Sequence, residues 1–208
     1  MMWRKWMLSR RKRKLKDPAY AWLFEPYEGD EYVAFDTETT GMDPKKAEIL
    51  TIGAVKIRGN RILSGESFHL SLKPQGTIDE AAIRVHHIRN CDMKEALDPR
   101  EGIRRFVEFI GNRPLVGYYL EFDMAMVNKY IKAWLGVSLP NRLIEVSGIY
   151  FDQRIGRIPQ GNIDLRFDTI LEQLKLPMFG KHNALNDAIM TAMIFVRLTY
   201  LKTPKENA

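Results

Sequence analysis

The feature that most constrains this chain is an acid set in an apolar helix. From Ala184 to about Lys202 the pattern carries apolar residues on nearly every side, which places this helix deep in a fold rather than on its surface. Within it, Asp187 lies among Ala184, Leu185, Ala188, Ile189 and Ala192. A buried carboxylate without a partner is expensive, and a cation would supply the partner. The small Ala184 and Ala188 let the helix come close to whatever sheet it packs on.

Two further acids are aimed at one point. Asp36 and Glu38 stand two apart at the end of YVAFDTE, so strand periodicity sends both to one face while Thr37 points the other way. Like charges held that close are costly unless a cation joins them, and hard oxygen ligands suit Mg²⁺ or Mn²⁺. Thr39-Thr40-Gly41 then makes a tight exit at the C-terminal edge of the strand, where ligands bind in open α/β sheets. A fourth acid, Asp123 in LVGYYLEFDMAMV, falls in the first turn of a helix, where the helix dipole favours an acid on its own account. His182, five residues before Asp187, reads by itself as a hydrogen-bonded or exposed loop histidine.

The pattern between these residues predicts an α/β fold. YVAFDTE, EILTIGAVKIRG and RILSGESFHLSLKP have strand character, and the two-residue turn Gly59-Asn60 joins the last two as an antiparallel hairpin. A helix is expected over about 79–89. Another covers 99–111, where Ile103, Phe106, Val107 and Ile110 recur at three- and four-residue steps before Gly111. A buried strand at Pro114–Tyr118, a helix from Glu121 to Leu135 and a strand over 143–147 complete a mixed five-stranded sheet, its first three strands antiparallel and the rest β-α-β, flanked by helices. With 208 residues the chain suits one domain.

The net charge of +6 divides unevenly. Residues 1–16 hold eight of the 32 basic residues and none of the 26 acids, so this tail carries +8 and the remainder −2. General attraction to phosphate must come mostly from the tail or from local patches. Cys91, the single cysteine, cannot close an internal disulfide, and no apolar run approaches the roughly 20 residues of a membrane span; a reduced, cytoplasmic setting is expected.

Taken together, FDTETTG, the strand-helix LVGYYLEFD and HNALNDA, the first and last about 140 residues apart, resemble the three motifs of the DnaQ-like 3′-to-5′ exonucleases, the DEDD superfamily with histidine in its third motif. The wording is most like that of the proofreading epsilon subunits of bacterial replicative polymerases. The resemblance implies a ribonuclease H-like sheet, two divalent ions (Mg²⁺ or Mn²⁺) held by Asp36, Glu38, Asp123 and Asp187, and His182 as general base. It further implies that Thr39, Thr40, Met42 and His86 bind the terminal nucleotide and that nucleoside 5′-monophosphates are released. There are departures: Tyr118-Tyr119 stand where His-Asn is frequent, His87 where glycine is usual, and Lys181 where arginine is common.

The expected organisation is a basic tail (1–16), a strap packed on the domain (17–30), the exonuclease domain (31–202) and a short C-terminal tail (203–208). Substrates implied are nucleic-acid 3′ ends, single-stranded DNA or RNA, with DNA favoured on motif wording; only a contact to the 2′-hydroxyl would tell them apart. The resemblance also implies a DNA polymerase or another replication or repair protein as partner. Gln173–Leu176 bears a faint likeness to a sliding-clamp peptide, although Leu174 and Leu176 suit the core. A non-catalytic scaffold would be expected to lose ligands, and here all five positions are filled. For the tail three readings stand: a disordered solubilising arm, an arm for nucleic-acid phosphates, or a membrane-surface helix using Trp3, Trp6 and Met7.

Overall fold

Period-2 runs of branched residues become the sheet. In the computed structural model, which describes residues 2–155 and 163–200, α1 (Met2–Lys12) and a 3-10 turn (Pro18–Phe24) lead into β1 (Glu31–Thr39), β2 (Ile49–Arg58) and β3 (Arg61–Ser71). Next come α2 (Glu80–His86), a second 3-10 turn (Asn90–Met93), α3 (Pro99–Ile110), β4 (Leu115–Gly117) and α4 (Leu120–Leu135). Then follow β5 (Leu143–Glu145), α5 (Val146–Arg154), α6 (Phe167–Gln173) and α7 (Ala184–Thr199). The sheet order is β3-β2-β1-β4-β5, with β1-β2 and β2-β3 antiparallel and β1-β4 and β4-β5 parallel. This is the mixed sheet expected from the sequence.

The hairpin closes where Gly59, at φ +56, supplies the left-handed residue its turn needs, with Arg58 opposite Arg61. Helix α3 starts on Asp98, whose side chain accepts the Arg100 and Glu101 amides, and stops at Gly111 in a positive-φ conformation. Alternation along β1 divides the core. Val33 and Phe35 face Ile103, Phe106 and the apolar side of α4, whereas Ala34 faces Val146, Ile170 and the inner residues of α7. Asp36 and Glu38 continue the α7 face and Thr37 the α4 face.

The fifth strand is shorter than predicted. It ends at Glu145 because that side chain accepts the Ser147 amide (3.1 Å) and caps α5, so Val146-Ser147 turn helical instead of extending the strand. Helices α5 and α6 were not anticipated; the first begins inside residues assigned to the strand. Helix α7 starts at Ala184, as expected, so Asp187 lies in its first turn, where Asn183 caps the helix by accepting the Asn186 amide. Leu174 is buried and Leu176 packs against the α7 core.

Toward the N-terminus, α1 lies against the body through Leu8, and Leu15 follows it into the same core. Leu23 and Phe24 of the first 3-10 turn are buried, and Tyr20 meets Trp134 edge to face at 4.7 Å. Among the described residues, no helix is long and apolar enough to cross a membrane.

How closely α7 approaches the sheet is set by Gly53. A Cβ there would lie 2.1 Å from the Leu185 amide nitrogen and 2.2 Å from the Ala184 carbonyl carbon, both backbone atoms of α7. Only glycine admits this approach, and a glycine amid the branched residues of β2 is its sequence signal. Gly53→Ala should therefore cost about 1–3 kcal/mol as an overpacked contact, lowering Tm by roughly 2–10 °C. Thermal melts by circular dichroism measure this, and an unchanged Tm contradicts the packing argument. A stabilising change is available at His87, which is exposed and left-handed at φ +61 after α2. His87→Gly relieves a Cβ clash at the expense of chain entropy, for a net gain of about 0.5–1 kcal/mol, or roughly 1–4 °C in the same melts. A lower Tm would show that the His87 side chain makes a stabilising contact.

Candidate active site

Strand β1 and helix α7 bring three acids together. Ligand oxygens of Asp36, Glu38 and Asp187 all lie within 4.8 Å of one another. Asp36 is opposite Gly53 in the β1-β2 ladder, so the residue that admits α7 lies beside the acid that α7 must reach. One oxygen of Asp187, Oδ2, accepts the His182 amide at 2.9 Å, while Oδ1 is buried without a hydrogen-bond partner. An orphaned oxygen on an acid grouped with two more carboxylates fits a hard divalent cation. Asp36, Glu38 and Asp187 would hold it.

Asp123 is placed differently. It is buried, and its Oδ1 accepts both the amide (3.0 Å) and the hydroxyl (2.5 Å) of Thr37. Thr37, facing away from Asp36 and Glu38, thus ties the first turn of α4 to the middle of the acidic strand. The start of α4 has a second support. Tyr119 at its N-cap is left-handed at φ +53 and offers no side-chain cap, and Glu145 Oε2 accepts the Leu120 amide at 2.9 Å instead. One carboxylate therefore caps both α4 and α5. Nothing local in the sequence marks Thr37 or Glu145 as a support, because each reaches α4 through a long-range bond.

Burial and mutual repulsion raise the proton affinity of these acids. Asp36 is held well above the usual carboxylate range by burial first, then by the charges of Asp123, Glu38 and Asp187. Glu38 is pushed up to about 8 by burial, followed by Asp187 and Asp123. Burial also lifts Asp123 to about 7 against the opposing bonds from Thr37, and lifts Asp187 against the bond from His182. A cluster so reluctant to ionise is what a divalent ion would reverse.

His182 is exposed and left-handed at φ +61, a conformation that its amide bond to Asp187 helps to hold and that recurs at functional positions. Lys181 is paired with Asp168 of α6 at 2.6 Å. His86 is buried at the end of α2, not on an exposed helix end. Its Nδ1 accepts the Ile88 amide (3.0 Å), which leaves the proton on Nε2 to be donated to the Thr39 carbonyl (3.2 Å). Burial, partly offset by that carbonyl, lowers its proton affinity. The Thr39 and Thr40 hydroxyls are engaged in the loop, donating to Gly41 O (2.7 Å) and accepting the Glu48 amide (2.9 Å), while Met42 stands out into solvent at 75% exposure. Tyr118 is a packing residue, tilted against Phe167 with ring centres 4.9 Å apart and donating to Leu165 O, whereas Tyr119 presents an exposed ring.

Comparisons with known proteins bear on the family and the fold. A DNA polymerase III epsilon subunit from Aquifex aeolicus is 28% identical over 167 residues, covering 80% of this chain and 79% of that protein. A PolC-type DNA polymerase III from Thermotoga maritima is 29% identical over 169 residues, again 80% of this chain but only 12% of the larger protein, so the chain spans about an eighth of that relative. Among solved structures, Escherichia coli exonuclease I in complex with a dT13 oligonucleotide superposes with a TM-score of 0.69 at 14% identity, covering 82% of this chain and 41% of the other. Exonuclease I from Methylocaldum szegediense gives 0.70 at 20% identity, with 84% and 41% covered. These two likenesses speak for the fold. The sequence profile described as Exonuclease matches residues 33–195, and the chain belongs to that family, as a DnaQ-like 3′-to-5′ exonuclease.

Proposed function

We propose that this protein is a metal-dependent exonuclease that removes nucleotides from DNA 3′ ends, in proofreading or repair. The observation that carries the reading is the convergence of Asp36, Glu38 and Asp187 with a buried, unpartnered Asp187 oxygen among them. Four carboxylates including Asp123 balance two Mg²⁺ or Mn²⁺ ions in charge. Such ions, when bound, would activate a water and stabilise the leaving 3′ oxygen. Asp36, Glu38 and Asp187 would hold such ions, with Asp123, fixed by Thr37, as a further carboxylate. His182, next to the metal site through its bond to Asp187, is the general base that takes the proton of the attacking water; its exposed ring can pass that proton to solvent. Met42 and the faces of His86 and Tyr119 would border the terminal nucleotides, since the polar atoms of His86, Thr39 and Thr40 are already engaged within the protein. Likeness to DNA polymerase III sequences supports DNA as substrate and a polymerase as partner.

Digestion of 3′-labelled single-stranded DNA, mismatched duplex and RNA, with Mg²⁺ and with chelator, tests the activity. Metal-dependent release of 5′-mononucleotides from DNA is expected; RNA degraded in preference to DNA would overturn the substrate. Asp187→Asn should lower kcat by about a thousandfold or more, in line with removal of an essential catalytic group, without lowering Tm, because it removes one of the crowded charges. Wild-type turnover in that variant would remove Asp187 from the metal site.

The raised carboxyls also set a pH dependence. A carboxyl whose folded pKa exceeds its unfolded value stabilises the fold fully below about pH 4. That contribution is lost as pH rises through about 7 for Asp123 and about 8 for Glu38. Metal-free protein should lose Tm across this window, and saturating Mg²⁺ should restore it most at the alkaline end. Differential scanning fluorimetry with and without metal measures this. Equal Tm at pH 8 in both conditions would contradict a metal-binding cluster.

A further inference from the structure

We propose that the outward face of α1 is a docking surface for the phosphate backbone of the DNA strand whose 3′ end enters the active site. The proposal rests on the reading of the protein as a DNA exonuclease. Helix α1 has two faces with different partners. Inward, Leu8 packs on the core, Arg11 donates to the carbonyls of Ser138 (2.6 Å) and Leu139 (3.2 Å), and Leu15 and Lys16 follow, the Lys16 amide bonding Leu135 O at 2.9 Å. Outward stand Trp6, Arg10, Arg13 and Lys14, all exposed and spaced as one helical stripe. Helical bonding runs on past the end of α1 through Arg13 to Ser9 O and Lys14 to Arg11 O, so these charges are held in place rather than carried on a loose arm. Arg10 lies over the Trp6 ring at 5.4 Å, and Lys12 is paired with Glu25.

The chemistry of this stripe selects its partner. A helix that lies on a membrane buries an apolar face in the headgroup layer. Here the leucines are spent on the protein core, and Trp6 is the one apolar side chain on the outward stripe among the described side chains. A fixed row of cations with one aromatic suits a phosphate backbone with an unstacked base beside it. Since the rest of the chain is net −2, the attraction for a polyanion is concentrated at this surface.

Its position suits a strand already held at its end. Asp123 lies in the first turn of α4, and at the other end of that helix the Leu135 carbonyl accepts the amide of Lys16, four residues past the end of α1. Twelve residues at about 1.5 Å each separate Asp123 from Leu135, or roughly 18 Å, which is about five phosphates of a strand stacked as in a duplex, at roughly 3.4 Å apiece, and fewer where the bases are unstacked. A groove of about 570 Å³ lies along α4, bordered by Tyr119, Met124, Asn128 and Lys132 and by two acids, Glu121 and Glu145. The stripe would therefore contact the strand a few nucleotides upstream of the reacting end.

The test is a combined Arg10→Ala, Arg13→Ala, Lys14→Ala variant, which leaves the inward anchors and the carboxylates intact. Binding of a fluorescent dT strand of about 20 nucleotides is followed by anisotropy in EDTA across a salt series. Loss of three phosphate contacts should make the slope of log affinity against log salt shallower by about 2, at roughly 0.7 per contact on a single strand. With Mg²⁺, KM for the long strand should rise on the order of tenfold while kcat on a trinucleotide, too short to reach α1, is unchanged. An unaltered salt slope with hydrolysis intact overturns the docking surface alone; absence of hydrolysis by the wild type with the slope change present overturns the nuclease reading alone. Anionic phosphatidylserine vesicles form the last arm: retention on them that exceeds DNA binding, and is lost in the variant, would make the surface a membrane contact and refute the proposal.

Discussion

The approach of helix α7 to strand β1 is the contact on which the site depends. It puts a carboxylate from the helix against two from the strand, an arrangement that electrostatics alone opposes. The fold overcomes that opposition with apolar packing elsewhere on α7, where Met190, Ile194 and Phe195 are buried against Ala34, Val55 and Val116. The acids sit at the rim of this core, where β1 runs out and α7 begins. Gly53 of the neighbouring strand β2 fixes the distance, because a Cβ there would hold α7 away from the sheet. A rigid sheet and a deeply packed helix thus hold together charges that would separate in a looser structure, and a divalent cation is the partner that makes the arrangement favourable.

The second support is a set of long-range bonds around the start of α4. Thr37 reaches across from the face of β1 opposite Asp36 and Glu38 to hold Asp123, and Glu145 holds the Leu120 amide where the helix cannot cap itself. Both act on the same turn from different strands. The position of Asp123 is therefore set by β1 and β5 together, close enough to Asp36 for its charge to raise that carboxyl. Tyr119 takes a left-handed conformation at that point, which turns its ring outward beside the start of the groove along α4.

Much of this was legible in the sequence, for physical reasons that differ by element. The Asp36-Glu38 spacing declares a shared face because strands alternate with a fixed period, and Asp187 declares a partner because acids are expensive in apolar helices. The hairpin was legible from Gly59-Asn60 and α3 from its apolar spacing. Helices α5 and α6 were not: α5 starts on a cap that Glu145 supplies from within an apparent strand, and α6 is only seven residues long. The docking of α1 was also hidden, because its outward charges dominate composition while the contacts that fix it, Leu8, Arg11 and Lys16, are met only in three dimensions. The left-handed conformation of His87 explains why glycine is usual at that place in the resembling family.

The claim that these carboxylates form a metal centre is tested most directly by calorimetric titration of Mn²⁺ into the metal-free protein near pH 7, repeated in buffers of different ionisation enthalpy. Because burial lifts Glu38 to about 8 and Asp123 to about 7, the site holds protons that an entering cation must displace. The account predicts saturable binding with net proton release to the buffer, lost or strongly weakened in Asp187→Asn. Binding without proton release, or binding equally tight in that variant, would contradict it.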